Sequence, residues 1–284
     1  MIWRRSNLFN WILVDEIIIK GLKEDINNID ITTDNLIEDK SISNAHMIAK
    51  EDGVIAGLPI VERVFKNIDE EVQIVFNVKD GDEVEEGTNI AEIRGKTKAI
   101  LKGERLALNL LQRMSGIAKT CKKYSQIVDG YNVRIVDTRK TTPGLRILEK
   151  YAVRMGGCYN HRYNLSDAVM IKDNHIKACG GIKEAIDKIR ERIPHTVKVE
   201  VEVESISGLE EAIEAGADIV MLDNMSSSEM EKAVKVAAGR VILEASGGIT
   251  MERLIDVAKT GVNVISVGAL THSVKAMDIS LRIY

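Results

Sequence analysis

The chain contains 284 residues, 45% of them hydrophobic, which is enough for one large domain or for two unequal domains with a sizeable core. Its formal net charge of −4 argues against a general nucleic-acid-binding protein. The three cysteines, Cys121, Cys158 and Cys179, are widely spaced without a CxxC pair, which argues against a disulfide framework or zinc site and favours a reducing cytoplasm.

The first predicted element is a helix at about residues 11–24. The N-terminal run MIWRRSNLFNWILVDEIIIK is broken by Asn10, Asp15 and Glu16, and no small-residue cleavage site follows it. A signal peptide is therefore not expected. No apolar stretch reaches the roughly 20 residues that a membrane-spanning helix needs. These patterns predict a cytoplasmic protein with neither a membrane nor a nucleic-acid partner.

Residues 1–115 have the pattern of a mixed α+β domain. Short β-like runs appear in HMIAKEDGVIAGL, VQIVFNVKDGDEV, NIAEIRG and TKAILKG. The segment KDGDEVEEGT is typical of a hairpin, with Gly81 and Gly87 relaxing the backbone. It also resembles a biotinyl or lipoyl carrier hairpin, but no lysine lies at a tight turn, so a structural hairpin is favoured. The helical spacing in GERLALNLLQRMSGIAK predicts a helix that bridges the two halves.

From about residue 130 the pattern becomes an alternation of strands and helices. The predicted strands share a short, β-branched apolar core and lie at 133–137, 168–172, 197–203, 218–222, 240–245 and 262–267. Repeated β-then-α units predict a parallel sheet. Because no GxGxxG follows the first strand, a (β/α) barrel is favoured over a Rossmann sheet.

Polar residues or glycines stand at the carboxyl end of every predicted strand, where the active site of such a barrel lies. In chain order these ends carry Asp137, Thr138, Arg139 and Lys140; Lys172, Asp173, Asn174 and His175; Glu202 and Glu204; Asp223 and Asn224; Ser246, Gly247 and Gly248; Gly268 and Ala269. Six such ends in succession indicate a functional site rather than folding requirements alone.

The basic residues are concentrated in one part of the chain. Residues 134–177 contain nine Lys or Arg against four Asp or Glu, whereas the whole chain has 39 against 43. A basic island in an acidic protein indicates a small polyanionic ligand. Arginine offers a bidentate fork to carboxylate or phosphate. The adjacent His161 and Arg162, in a loop after Gly156 and Gly157, are candidates for binding it.

The strand KVEVEVES places Glu200, Glu202 and Glu204 on one face, although a parallel strand buried on both faces is usually apolar. Buried carboxylates need partners. Lys172 could supply one. We expect Glu200 to form a structural ion pair and Glu202, nearer the mouth, to contact the ligand.

The last two strand ends, in EASGGI and SVGAL, are glycine-rich turns of the kind that cradle phosphate at a helix N-terminus. The expected ligand thus combines a phosphate, hydroxyl groups for Glu202 and Asp223, and further anionic groups for the basic residues. A phosphoribosyl donor with a carboxylated acceptor fits this description, and a sugar phosphate fits it as well.

In combination and order, several motifs of this chain resemble those of the quinolinate phosphoribosyltransferases. They are GERLALNLLQRMSGIA, DTRKTTPGLR, GGCYNHRYNLSDAVMIKDNH, VEVEVES, ADIVMLDN, LEASGGI and SVGALTHS. The resemblance implies a fold that combines α/β and α+β parts. An N-terminal α/β sandwich would span residues 1–115, an open (β/α) barrel with parallel strands 116–270, and a segment returning to the first domain 271–284.

The resemblance also implies an activity. The enzyme would transfer phosphoribose from phosphoribosyl pyrophosphate to quinolinate with decarboxylation, giving nicotinate mononucleotide, pyrophosphate and carbon dioxide for NAD synthesis. Mg²⁺ would accompany the donor without a dedicated protein site. The protein would be a homodimer or homohexamer whose sites lie at the subunit interface.

The matching positions of this chain carry the implied roles. Arg105 resembles an arginine that enters the neighbouring subunit's site. Thr138 resembles a backbone contact, beside a basic pocket of Arg139, Lys140, His161, Arg162 and Lys172. Glu202 and Asp223 resemble the carboxylates that hold the ribose hydroxyls. Catalysis is assigned to Lys140, Lys172, Glu202 and Asp223. The 5′-phosphate cradle corresponds to Ser246, Gly247, Gly248, Val267, Gly268 and Ala269.

Three other interpretations stay open. A paralogue of the same fold, such as the molybdenum-transport-associated relatives, would use another acceptor. A sugar-phosphate lyase or isomerase would need a Schiff-base lysine, for which Lys172 is available. A non-catalytic binding protein would explain the pocket but not the carboxylates beside a phosphate cradle.

Overall fold

The structure, a computed structural model, describes residues 9–284. The helices are α1 (Trp11–Asp25), α2 (Ile31–Leu36), α3 (Leu58–Ile68), α4 (Thr97–Ile127), α5 (Arg146–Met155), α6 (Asp173–Cys179), α7 (Ile182–Arg190), α8 (Ile206–Glu214), α9 (Ser227–Ala237), α10 (Met251–Lys259) and α11 (Ala269–His272). The strands are β1 (Ile42–Ala49), β2 (Gly53–Val54), β3 (Gln73–Phe76), β4 (Glu83–Val84), β5 (Asn89–Lys96), β6 (Arg134–Val136), β7 (Val169–Ile171), β8 (Val199–Val203), β9 (Ile219–Asp223), β10 (Ile242–Ser246), β11 (Val264–Ser266) and β12 (Ile279–Ile283). Among residues 9–284, none of the helices combines the length and the apolar character that a membrane span requires.

The chain divides into two compact units. Unit 1 comprises residues 1–122, 141–157 and 270–284, and unit 2 comprises residues 123–140 and 158–269. Unit 1 contains an antiparallel sheet in the order β12-β1-β5-β3, so the C-terminal strand pairs with the first strand of the chain. The helix α1 was predicted at nearly its observed position.

Two elements of unit 1 differ from the sequence predictions. The run TKAILKG was predicted as β-like, but it forms the first two turns of α4, which continues through the predicted bridging helix. Ala99, Ile100 and Gly103 are buried at helical spacing, and a Cβ at Gly103 would lie 2.7 Å from the Phe65 ring. Close packing against α3 therefore overrides the local β preference. The helix α3 itself was not predicted.

The KDGDEVEEGT segment has a structural function in unit 1. The flanking strands β3 and β5 pair antiparallel, as expected for a hairpin, but the intervening β4 pairs with β2. Gly81 and Gly87 have φ values of +92° and +88°, which glycine adopts without strain. The buried Asp80 carboxylate accepts the N–H groups of Gly57 and Leu58 at 3.0 Å, at the start of α3, and the Tyr151 hydroxyl at 2.6 Å. This turn therefore caps a helix.

Unit 2 contains a six-stranded parallel sheet in the order β6-β11-β10-β9-β8-β7. All six predicted strands are present, each within one or two residues of its predicted bounds. Each strand from β7 to β10 pairs with its successor, and β6 lies beside β11. This is the order of a barrel cut between β6 and β7, because a doubly wound sheet reverses direction at a switch point. The predicted barrel-like parallel sheet is confirmed.

Candidate active site at the carboxyl ends of the parallel strands

The carboxyl ends of the unit 2 strands bring the predicted polar residues to one edge of the sheet. The register pairs Asp223 of β9 with Ser246 of β10, and the N–H of Asn224 donates to the Ser246 carbonyl at 3.0 Å. Lys172 follows β7 directly, and Glu202 is the penultimate residue of β8. Because the strands are parallel, loops that are far apart in sequence meet at this edge.

Lys172 and Glu202 join two neighbouring strand ends. Lys172 Nζ lies 2.5 Å from Glu202 Oε2, so Glu202 forms an ion pair, although the sequence pattern predicted an ion pair for Glu200 and a ligand contact for Glu202. The nearby His175 has a local structural role, since its Nδ1 accepts the Lys172 N–H at 3.0 Å, at the start of α6. The ion pair places one cation and one anion at the mouth of the sheet.

Asp137, directly after β6, organises the loop that carries the adjacent histidine and arginine. Its side chain is fully buried. Asp137 Oδ1 accepts the N–H of His161 at 2.8 Å, and Oδ2 accepts the side-chain amide of Asn160 at 2.7 Å. The next residue, Thr138, accepts the N–H of Lys140 with its hydroxyl at 3.0 Å. The carboxylate therefore supports a neighbouring loop.

Arg139 and Arg162 form a pair of cations in unit 2. Burial and the neighbouring charge of Arg139 lower the pKa of Arg162, whereas Glu200 and Asp167 oppose the shift. Arg162 is oriented by a hydrogen bond from Nη1 to the carbonyl of Ala168 at 3.1 Å. Two positive charges held near each other repel, and an anionic ligand between them would relieve this repulsion. The arrangement therefore favours an anionic ligand.

His161 lies between two buried glutamates from different strands. Its Nε2 is 3.4 Å from Glu200 Oε2 on β8 and 3.3 Å from Glu244 Oε2 on β10. Burial alone would lower the pKa of His161, but hydrogen bonds to both carboxylates and their charges outweigh burial and raise it. Burial also raises the pKa of Glu200, with the Glu244 charge adding to the effect. The structural partner of Glu200 is therefore His161.

The same three residues form the group of potential metal ligands found among residues 9–284. Glu200 Oε1 and Glu244 Oε1 are buried without a hydrogen-bond partner among the described residues, which would suit a cation. However, His161 Nδ1 accepts the N–H of Arg162 at 2.7 Å. The ring proton is therefore on Nε2, the nitrogen that faces the carboxylates, and a protonated nitrogen cannot bind a metal. The group does not fit a metal site.

The glycine turn after β10 has a backbone that other residues adopt with strain. Gly247 and Gly248 have φ values of +87° and +58°. A Cβ on Gly247 would lie 2.2 Å from Asn224 Oδ1. Asn224 in turn donates its side-chain amide to Asp223 Oδ2 at 2.7 Å. The turn thus packs directly against the residue that orients Asp223, and it leads into α10.

The remaining predicted residues are placed as follows. Lys140 is exposed at the end of the β6 loop. Val267 is buried, and its N–H donates to the Val136 carbonyl at 2.9 Å, so β11 and β6 stay paired to the start of the Val267–Ala269 turn. Arg105 is exposed on α4 in unit 1. The unit 2 residues therefore lie at the carboxyl ends of the parallel strands, and Arg105 belongs to the other unit.

Sequence reasoning missed one residue of this arrangement, Glu244. The signal was present, since a single carboxylate interrupts the apolar strand VILEAS, as Glu200 does in VKVEVEV. Both glutamates are almost fully buried. A charged residue in the middle of a buried parallel strand requires a partner, and here both share His161.

Comparison with known proteins places these features in a family. The model of the quinolinate phosphoribosyl transferase N-terminal domain matches residues 30–115, and that of the C-terminal domain matches residues 117–282. A probable nicotinate-nucleotide pyrophosphorylase (carboxylating) of Bacillus subtilis is 48% identical over 260 residues, covering 92% of this chain and 90% of the relative. Quinolinate phosphoribosyltransferase (decarboxylating) 1b of Nicotiana tabacum is 40% identical, covering 93% and 80%. The crystal structure of NadC from Streptococcus pyogenes is 42% identical, with a TM-score of 0.94 over 97% of this chain and 98% of that one.

Proposed function

The chain belongs to the quinolinate phosphoribosyltransferase family, and we propose that it joins quinolinate to phosphoribosyl pyrophosphate with loss of carbon dioxide. The products are nicotinate mononucleotide and pyrophosphate, and the reaction supplies NAD biosynthesis. The enzyme is a pentosyltransferase, in agreement with its similarity to nicotinate-nucleotide pyrophosphorylases and quinolinate phosphoribosyltransferases.

One observation carries this function at the level of the site. The loops that contain Arg139 and Arg162 meet where Asp137 accepts the His161 N–H at 2.8 Å, and the charge of Arg139 helps to lower the pKa of Arg162. Quinolinate has two adjacent carboxylates, and a pair of planar, bidentate cations matches two such groups. The exposed Lys140 and the paired Lys172 add positive charge for the carboxylates and for the pyrophosphate of the donor.

The donor fits the other half of the strand ends. Glu202 and Asp223 are acceptors for the ribose hydroxyls. The turns Ser246–Gly248 and Val267–Ala269 form the cradle for the 5′-phosphate, and the first of them precedes α10, whose N-terminus favours an anion. This arrangement sets the ribose between the two glycine turns and the basic pocket.

The reaction then needs positioning and charge stabilisation rather than a nucleophilic side chain. The ring nitrogen of quinolinate attacks the anomeric carbon, and the bond to pyrophosphate breaks with its electron pair. The ribosylated ring is a cation. The bond from C2 to its carboxylate breaks next, releasing carbon dioxide and leaving the electron pair on C2 beside the positive nitrogen. A proton then adds to C2 and completes nicotinate mononucleotide.

We expect Mg²⁺ to enter with the donor. Its preferred ligands are phosphate oxygens with one or two carboxylates, and Glu202 and Asp223 are oxygen donors at neighbouring strand ends, so these residues fit such an ion. When bound, the ion would neutralise charge on the departing pyrophosphate.

We also propose a homodimer or homohexamer in which Arg105 of one subunit enters the site of another, in a cytoplasmic enzyme. The exposure of Arg105 on α4 supports such a role. The alternative of a sugar-phosphate lyase or isomerase, which would use Lys172 as a Schiff-base nucleophile, is disfavoured. The Lys172 side chain is engaged in an ion pair with Glu202.

A product assay tests the function. The purified protein is incubated with phosphoribosyl pyrophosphate, Mg²⁺ and either quinolinate or nicotinate, and carbon dioxide and nicotinate mononucleotide are followed together. We expect equal amounts of both products from quinolinate and none from nicotinate. If quinolinate gave no product, the acceptor would be a different molecule, and the result would favour a paralogue of the same fold.

A further inference from the structure

Three buried carboxylates of unit 2 converge on one short loop, residues 160–162. We propose that Asp137, Glu200 and Glu244 are positioning residues that aim Arg162 at the substrate through His161. This inference rests on the proposed function, since it assigns Arg162 to quinolinate. It gives His161 a supporting role rather than the direct substrate contact that the family resemblance implies.

The first support holds the backbone of the loop. Asp137 accepts the His161 N–H at 2.8 Å and the Asn160 side chain at 2.7 Å, from a side chain with no exposure. A buried carboxylate that accepts two N–H groups is fixed by charge-assisted hydrogen bonds. The end of β6 therefore determines the path of the loop just before Arg162.

The second support holds the ring. His161 Nε2 faces Glu200 and Glu244 at 3.4 and 3.3 Å, and Nδ1 accepts the Arg162 N–H at 2.7 Å. Both ring nitrogens are thus engaged by the protein. The carboxylates orient the ring, and the ring orients the Arg162 backbone. Since Arg162 Nη1 also donates to the Ala168 carbonyl, Arg162 is held both at its backbone and at its guanidinium group.

The charges also support a positioning role for Glu200. The positive charges of Arg139 and Arg162 repel each other, and the negative charge of Glu200 favours the charged form of Arg162. Negative charge near two guanidinium groups reduces the free-energy cost of holding them together before substrate binds. Glu244 contributes to this effect through His161, because both Glu244 and Glu200 contact His161 Nε2.

The test separates positioning from general stability. Steady-state constants are measured for Glu244→Ala, Glu244→Gln, Arg162→Lys and the Glu244→Ala/Arg162→Lys double variant. We expect Glu244→Ala to raise the KM for quinolinate at least ~10-fold and the KM for phosphoribosyl pyrophosphate less than ~3-fold. The glutamine variant, which keeps an acceptor for the ring proton, should recover most of this loss. The double variant should be little worse than Arg162→Lys, because residues that act as one unit are not additive.

Two further variants keep the test decisive if Glu244→Ala does not fold. Asn160→Ala removes an exposed side chain from the Asp137 support and should also raise the quinolinate KM selectively. Glu210→Ala, on the exposed surface of α8, is the control and should change neither KM by more than ~2-fold. Equal losses for both substrates, or additive losses in the double variant, would overturn the proposal.

A readout without substrate distinguishes this proposal from the proposed function. With five histidines in the chain, the ring nitrogens of His161 can be assigned by ¹⁵N NMR. We expect an unprotonated Nδ1 in the wild-type protein and in Glu244→Gln. In Glu244→Ala we expect the proton to exchange between Nδ1 and Nε2, which gives averaged ¹⁵N shifts. Averaged shifts in the wild-type protein would refute the positioning role. A fixed ring in a protein that is inactive with quinolinate refutes the function instead.

Discussion

Lys172 and Glu202 form an ion pair of 2.5 Å between the ends of β7 and β8, in a site that is open to solvent on the lysine side. The Lys172 side chain is 44% exposed, so the pair adds at most about 1 kcal/mol to the free energy of unfolding. Its position is better explained by function. The substrate can exchange for either partner without exposing a buried charge.

We therefore predict that Lys172→Gln lowers kcat/KM by at least ~100-fold and changes the free energy of unfolding by less than about 1 kcal/mol. The charge-matched control is Lys177→Gln, which removes an exposed i,i+4 partner of Asp173 on α6. That variant should keep its activity. The measurements are the product assay and urea unfolding, and a stability loss without an activity loss in Lys172→Gln would contradict the prediction.

The two guanidinium groups are predicted to act by their geometry as well as by their charge. Arg139→Lys or Arg162→Lys keeps the positive charge but removes the bidentate fork, so the KM for quinolinate should rise at least ~10-fold. Arg240→Lys is the control, since Arg240 donates to the Val236 and Ala237 carbonyls near the start of β10, at the other edge of the sheet. Near-normal kinetics in both site variants would refute the assignment.

Gly247 is predicted to be required both for its backbone conformation and for its lack of a side chain. Gly247→Ala should lower the free energy of unfolding and raise the KM for phosphoribosyl pyrophosphate, because the new Cβ meets Asn224. Gly239→Ala is a matched control, with φ +77° and nothing within 4 Å. The control loses only the backbone term of roughly 1–2 kcal/mol. Gly247→Ala should lose at least about 1 kcal/mol more, and equal losses would show that the contact with Asn224 is unimportant.

Asp80 is predicted to be a major stabilising residue of unit 1. Asp80→Ala leaves the N–H groups of Gly57 and Leu58 and the Tyr151 hydroxyl without this carboxylate in a buried place. We expect a loss of about 2–4 kcal/mol in the free energy of unfolding. Asp82→Ala, in the same turn but exposed, should cost less than about 1 kcal/mol. Similar losses for the two variants would rule out the capping role.

Local pattern was sufficient for the parallel sheet. The six β-rich runs of unit 2 are short, apolar and separated by helical spacing, and tertiary packing reinforces the same preference. The run TKAILKG shows where pattern fails. Its seven residues are too few for the spacing of apolar residues to distinguish a helix from a strand. The close packing of Gly103 on Phe65 favours the helix, and the run becomes the start of α4.

The candidate site divides in the same way. The sequence alone determined which strand ends carry cations, carboxylates and glycines, because the alternation of elements in a (β/α) sheet sends every such end to one edge. It also indicated Lys172 as a possible partner for the carboxylates of the third strand, since a carboxylate in a buried strand needs one, but it did not assign that partner to Glu202. Only the tertiary structure decided that His161 lies between Glu200 and Glu244 and that Asp137 holds the loop before Arg162. Those partners come from strands distant in sequence, and their meeting depends on strand register and sheet closure, which no local pattern encodes.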